Sequence, residues 1–197
     1  MDNEPSKENL RKSLLLSPLL NEKSLVELLQ LFSFHKLEPN EYFIHEGEYP
    51  LSLAFIEKGI FYSYFSDAKG DETVRGIFIP GMYVLPLPAF IFRKPSFTSY
   101  KVITESFFFQ AKYAEIQALS EHNVRVKSFI QSLIDREWII NREIHDASIH
   151  VYNFQTRYNL FREKYALYIS KIPVQLLSSY LNIPLRQLQK IQNQGES

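Results

Sequence analysis

Arg186, Gln187, Gln189, Lys190 and Asn193 crowd together inside the stretch "PVQLLSSYLNIPLRQLQKIQNQ", residues 173–194. On a helix turning about 100° per residue, Arg186, Gln189, Lys190 and Asn193 share one face, flanked by Gln187 and Gln194. Leu188 and Ile191 fall opposite. The chemistry open to these side chains is hydrogen bonding. Gln and Asn amides pair with adenine edges, and Arg and Lys with guanine edges or phosphates. An ordinary solvated helix face would carry the same residues, so the preceding segment matters. Ser178 is small, where two helices would cross closely. Asn182 is the non-glycine residue best suited to left-handed geometry. Pro184 fits the start of a helix, where its missing N–H does no harm. Leu188 and Ile191 follow Ser178 by ten and thirteen residues. Small residue, turn residue and two apolar anchors in that order are a helix-turn-helix pattern. Ser179, beside the crossing, is placed to touch phosphate.

The charge distribution agrees. The chain carries 22 Lys and Arg against 22 Asp and Glu. Residues 151–197 hold six of the bases and two of the acids, giving +4, and the first 150 residues therefore carry −4. A basic end on an acidic body suits double-stranded DNA as partner. Other chemistries find little support. The absence of cysteine excludes disulfides, thiolate zinc sites, Cys-ligated iron–sulfur clusters and a cysteine nucleophile. His45, His122, His145 and His150 are scattered, and the last two lie five apart, a poor spacing for one helix face. They read as surface or capping residues. There is no Gly-x-Ser-x-Gly, phosphate loop or His-Glu-x-x-His, so the chain reads as a non-enzyme with no cofactor. With no run of 18 apolar residues and a polar start, "MDNEPSKENLRK", it is expected in the cytoplasm.

The elements that position these residues follow from periodicity. Residues 21–32 place Leu25, Leu28, Leu29 and Phe32 on one helical face. The pattern then shortens. Runs rich in Phe, Tyr, Ile and Val at 42–45, 53–57, 60–65, 73–79, 98–104 and 107–111 alternate with turn signals such as "HEGEYP" and "SDAKGDE". Such strands suggest a small antiparallel barrel or jelly roll. Residues 111–123 return to helix, and a long helix is expected over 124–147. In it Val126, Ile130, Leu133, Ile140 and Ile144 form a heptad seam, interrupted by the polar Glu137. The seam is expected to pair with a second copy; a helix packed on its own barrel would carry the same pattern. The fold class is thus α+β: an antiparallel β-barrel (jelly-roll) sensor domain over 1–123, a long dimerisation helix over 124–147, and a small all-α helix-turn-helix domain over 148–197.

With these residues in place the chain resembles the Crp/Fnr family of transcription regulators. The carriers are "EYFIHEGEYP", "AFIEKGIFYSYFSDAKGDETVRGIFIPGMY" and "RKPSFTSYKVITES" in the first half, and "TRYNLF" followed by "IPVQLLSSYLNIPLRQLQKI" in the second. The resemblance implies a cyclic-nucleotide-binding-like domain, a homodimer on a two-fold symmetric DNA site, and base contacts at Arg186, Gln189 and Lys190. The sensor domain is expected to answer an unidentified small-molecule effector or none. The chain departs from the pattern in places. Asn182 stands where Gly is usual, and Pro184–Leu185–Arg186 replaces Thr–Pro–Glu. Leu85–Pro86 stands where cyclic-AMP binders carry Gly–Glu, and their phosphate-binding Arg falls near Ser96. A response to cyclic AMP is therefore not expected. The other reading is a dimeric sensor or scaffold whose C-terminal helices bind a protein.

Overall fold

The structure is a computed structural model, and it describes residues 6–67, 70–136 and 141–194. Two helices, α1 (Glu8–Leu15) and α2 (Glu22–Gln30), open the chain. Asn21 caps α2, its side chain accepting the Ser24 N–H. Eight strands follow: β1 (Ser33–Leu37), β2 (Tyr42–Ile44), β3 (Ser52–Lys58), β4 (Phe61–Ser66), β5 (Glu72–Phe78), β6 (Tyr83–Val84), β7 (Ser99–Val102) and β8 (Ser106–Lys112). Helix α3 (Leu87–Phe92) lies between β6 and β7. Then come α4 (Tyr113–His122), α5 (Val124–Ile134), α6 (Asn141–Val151), α7 (Phe154–Lys164), α8 (Val174–Leu181) and α9 (Leu185–Gln194).

The strands form two antiparallel four-stranded sheets, ordered β1-β8-β3-β6 and β2-β7-β4-β5. This is a two-sheet jelly-roll order, and among the described residues it does not close into the expected barrel. The reason is visible in the edges. β6 has two residues and pairs only with β3, so the first sheet ends there. Among the described residues β5 pairs only with β4, leaving its other edge to be covered by a helix.

Period-two alternation sorts the core. In β3 every residue from Ser52 to Ile56 is buried, because both faces are covered. Ala54 and Ile56 face the second sheet with Phe61, Val84, Tyr100, Val102 and Phe108. Leu53 and Phe55 face the helices, packing with Leu10, Leu14, Leu25 and Leu28. A third cluster joins Tyr62, Tyr64, Val74 and Ile77 of β4 and β5 to Tyr165, Leu177, Leu181 and Leu188. The C-terminal helices therefore share a core with the second sheet. Each fully buried Leu contributes about 1.5–3 kcal/mol.

The expected long helix is described on both sides of residues 137–140, with α6 resuming at Asn141. α5 runs to Ile134 and passes into π-type winding at Asp135 and Arg136. Glu137 and Ile140 lie outside the described residues, as does the side chain of Ile144. The first half of the seam is not partner-facing. Val126 is 0% exposed and Leu133 3%, both within the cluster that holds α1 and α2, and Ile130 packs against it. Helix packing within the chain, the other use of a heptad stripe, accounts for these three residues.

Candidate nucleic-acid interface and the adjoining cavity

The α8–α9 turn is built by several independent contacts. Asn182 sits at φ 50°, ψ 48°, the left-handed geometry its residue type tolerates. Its N–H donates to the Ser179 carbonyl at 3.2 Å, and the Ile183 N–H to the Ser178 carbonyl at 3.1 Å. Those two bonds are the paired closure of a Schellman motif, with Ile183 buried as its apolar partner. The Ser178 hydroxyl donates to the Ile183 carbonyl at 2.7 Å. Arg157 of α7 reaches the same point, its Nη1 donating to the carbonyls of Leu181 at 2.7 Å and Asn182 at 3.1 Å. The guanidinium lies 4.9 Å from the Phe154 ring centroid, and burial pulls its pKa below the ordinary arginine value. Pro184 opens α9, its carbonyl accepting the N–H groups of Gln187 and Leu188. The sequence pattern pointed to Ser178 and Asn182; Arg157 carried no periodicity signal and stood only inside "TRYNLF".

On α9 the two anchors are buried, Leu188 at 0% and Ile191 at 8% exposure. Arg186, Gln187, Gln189, Lys190, Asn193 and Gln194 are all exposed. The turn thus presents a row of donors and amides with no acid in the first helical turn. Ser179 is placed differently. Its Oγ accepts the Val74 N–H of β5 at 2.9 Å and lies 3.4 Å from the Glu72 carbonyl. It faces the edge of the second sheet, so in this arrangement it is engaged there and not at a phosphate. The Tyr165 hydroxyl makes a parallel contact, donating to the Ile77 carbonyl at 3.3 Å.

Beside this junction lies a cavity of about 400 Å³. Its walls include Leu53, Leu85 and Leu87, with Leu133 from α5 and Tyr165 and Tyr180 from the helical end. Tyr100 also lines it; burial pushes this phenol up to about 12, so it stays a neutral donor, 3.5 Å from the Leu85 carbonyl. Arg93 and Lys94 are exposed and do not line it. Ser96, at the position of the expected phosphate-binding Arg, is buried and spends its hydroxyl on the Thr98 carbonyl at 2.7 Å.

Solved structures share this fold. FixK2 from Bradyrhizobium japonicum matches with a TM-score of 0.72 at 15% identity, over 83% of each chain. The c-di-GMP-responsive global regulator CLP from Xanthomonas campestris matches at 0.68 and 11% identity, over 89% of this chain and 92% of its own. The sensor domain of the regulator DNR from Pseudomonas aeruginosa matches at 0.56 and 13% identity, over 75% and 94%. The chain has a Crp/Fnr-like fold. Matches to FixK2 and CLP run over most of both chains, so this Crp/Fnr-like fold is shared beyond the sheets alone. No family model matches the sequence, and no curated protein matches it. No helix among the described residues is long and apolar enough to cross a membrane.

Proposed function

We propose that the protein is a DNA-binding transcriptional regulator in which α9 reads duplex DNA. The observation that carries this reading is the exposed row of Arg186, Gln187, Gln189, Lys190 and Asn193 above the buried Leu188 and Ile191. Arg and amide side chains on one rigid helix can meet base edges, and Lys190 can meet phosphate. The +4 charge of residues 151–197 supports it. So do the regulators that share the fold. Regulation does not run through cyclic AMP in this account. Leu85–Pro86 and Ser96 occupy the positions where the resemblance would require ribose and phosphate contacts, and a cyclic phosphate without a cation is costly to bury. The protein acts as a homodimer, and with Val126 and Leu133 committed to the chain's own core, Ile140 is the seam residue on which the dimer is tested. The domain boundaries at 123 and 147 belong to the same proposal.

The test is the salt dependence of binding to mixed-sequence duplex DNA. Affinity should fall steeply as salt rises. Lys190→Gln should flatten the slope of log K against log salt by about 0.9 for each phosphate the lysine neutralises. A DNA affinity indifferent to salt, or undetectable at low salt, would move the function to the rival reading, in which the helices bind a protein.

A further inference from the structure

We propose that α9 reads an A·T-rich half-site, with the Gln189 amide on an adenine, Leu185 against a thymine methyl and Arg186 on a single guanine. This rests on the DNA-binding reading and names the bases that reading leaves open. Three observations carry it.

The first is an apolar residue on a polar face. Leu185 opens α9 and is 36% exposed, while Leu188, in the same helix, is 0% exposed. Pro184 before it is exposed as well. The front of the helix therefore turns an apolar edge outward beside amides and cations. In a helix-turn-helix the first residues of the second helix reach the base edges. Among the groups that distinguish bases in the major groove, the thymine methyl is the apolar one. A phosphate suits this edge poorly, because Pro184 has no N–H to offer it.

The second is order around the helix. At about 100° per residue, Leu185 lies about 40° from Gln189, Arg186 about 60° beyond Gln189, and Lys190 about 40° beyond Arg186. All four are exposed, and the buried Leu188 and Ile191 lie opposite. An apolar group, an amide, a guanidinium and an ammonium thus follow one another across the outward face. Leu185 and Gln189 stand four residues apart and are surface neighbours. An A·T pair offers what such neighbours need: adenine N6 and N7 for a bidentate amide, and the methyl of its thymine. Lys190, at the far side, keeps its place at a phosphate.

The third is composition. The helix "LRQLQKIQNQ" holds four Gln, one Asn, one Arg and one Lys, and no Asp or Glu. The cytosine amino group is read by a carboxylate, and α9 has none. Bidentate contact with guanine belongs to Arg or Lys. With Lys190 at the phosphate side, Arg186 alone remains to specify a G·C pair, and the other base contacts fall to amides.

The experiment takes the duplex that the full chain enriches from a random pool at low salt and titrates it by fluorescence anisotropy in three forms: as enriched, with deoxyuridine for thymine, and with 7-deazaadenine for adenine. Deoxyuridine keeps the pairing and removes the methyl; 7-deazaadenine removes the N7 acceptor. The enriched half-site should be mostly A·T with one fixed G·C pair. Deoxyuridine should weaken binding about fourfold for each contacted methyl, the worth of one buried CH₂ group. 7-Deazaadenine should weaken it about fivefold or more, as expected when a bidentate pair is broken. Leu185→Ala should bind the thymine duplex at least as weakly as the unaltered protein binds the deoxyuridine one, and lose nothing further on deoxyuridine. Gln189→Ala should lose most of its response to 7-deazaadenine. Both variants should keep the full salt slope, because base contacts release no counterions. Half-sites fixed mainly by G·C pairs, an unaltered protein indifferent to deoxyuridine, or a Leu185→Ala variant that still senses the methyl would each overturn the proposal and leave duplex binding standing. Salt-dependent binding with no enriched motif would do the same. Absence of any duplex binding at low salt would remove the DNA-binding reading itself, and this proposal with it.

Discussion

Replacing Arg157 by Met separates the architecture of the turn from contact with DNA. Nη1 of Arg157 holds two carbonyls, at 2.7 and 3.1 Å, where α8 ends and the turn begins. Hydrogen bonds to charged groups are worth about 1.5–3 kcal/mol each. Against that stands the cost of burying the guanidinium, whose Nε has no partner and whose pKa burial lowers. Met keeps much of the packing against Phe154 but offers no donor, leaving the carbonyls of Leu181 and Asn182 unpaired. The net loss should be about 2–4 kcal/mol. With a urea slope of about 2 kcal/mol per molar, the unfolding midpoint should drop by about 1–2 M. DNA affinity should fall as well, because the turn that aims α9 is loosened. The slope of log K against log salt should stay unchanged, because a buried side chain releases no counterions. An unmoved urea midpoint, or a flattened slope like that expected of Lys190→Gln, would refute the reasoning and make Arg157 a phosphate contact.

Asn182→Ala should destabilise by about 1 kcal/mol in urea, because a Cβ without the Asn side chain's local bonding is costly at φ 50°, whereas Asn182→Gly should be neutral or slightly stabilising. Leu133→Ala should lower stability by about 2–5 kcal/mol without changing the mass seen by light scattering, while Ile140→Asp should shift that mass toward monomer; the reverse pattern would return Leu133 to a dimer seam. Tyr100 ionises later in the folded chain than in the unfolded one, since burial raises its pKa to about 12. Its contribution is therefore complete below pH about 10 and lost as pH rises from about 10 toward 12, where the unfolded state has released the proton first. Alkaline denaturation of Tyr100→Phe should begin at higher pH; an identical alkaline limb would contradict this.

How far the sequence could be read follows from which signals are local. The strands from β2 to β5 were legible because aromatic and β-branched runs alternate with Gly-containing turns. β1 and β6 were not, one being mostly exposed and polar, the other two residues long. α1 hides in "ENLRKSLL", whose only buried residues are Leu10 and Leu14, too few to announce a periodic face. α3 is masked by prolines at 86 and 88. The heptad stripe of α5 was correctly apolar, yet a stripe does not say which surface covers it; here α1 and α2 do. On α9 the sorting of Leu188 and Ile191 inward and Arg186, Gln189, Lys190 and Asn193 outward was legible, because helical period alone decides it. Arg75, Lys164 and His145 come from three separate elements, and only the folded chain brings them to one cavity.

The most direct test of the central claim is selection of binding sites from random duplex DNA by the purified full chain at low salt. The account predicts enrichment of a two-fold symmetric motif with half-sites about one helical turn apart, weakened in Arg186→Ala and Lys190→Ala. Failure to enrich any motif, by a protein whose α9 is folded, would contradict it.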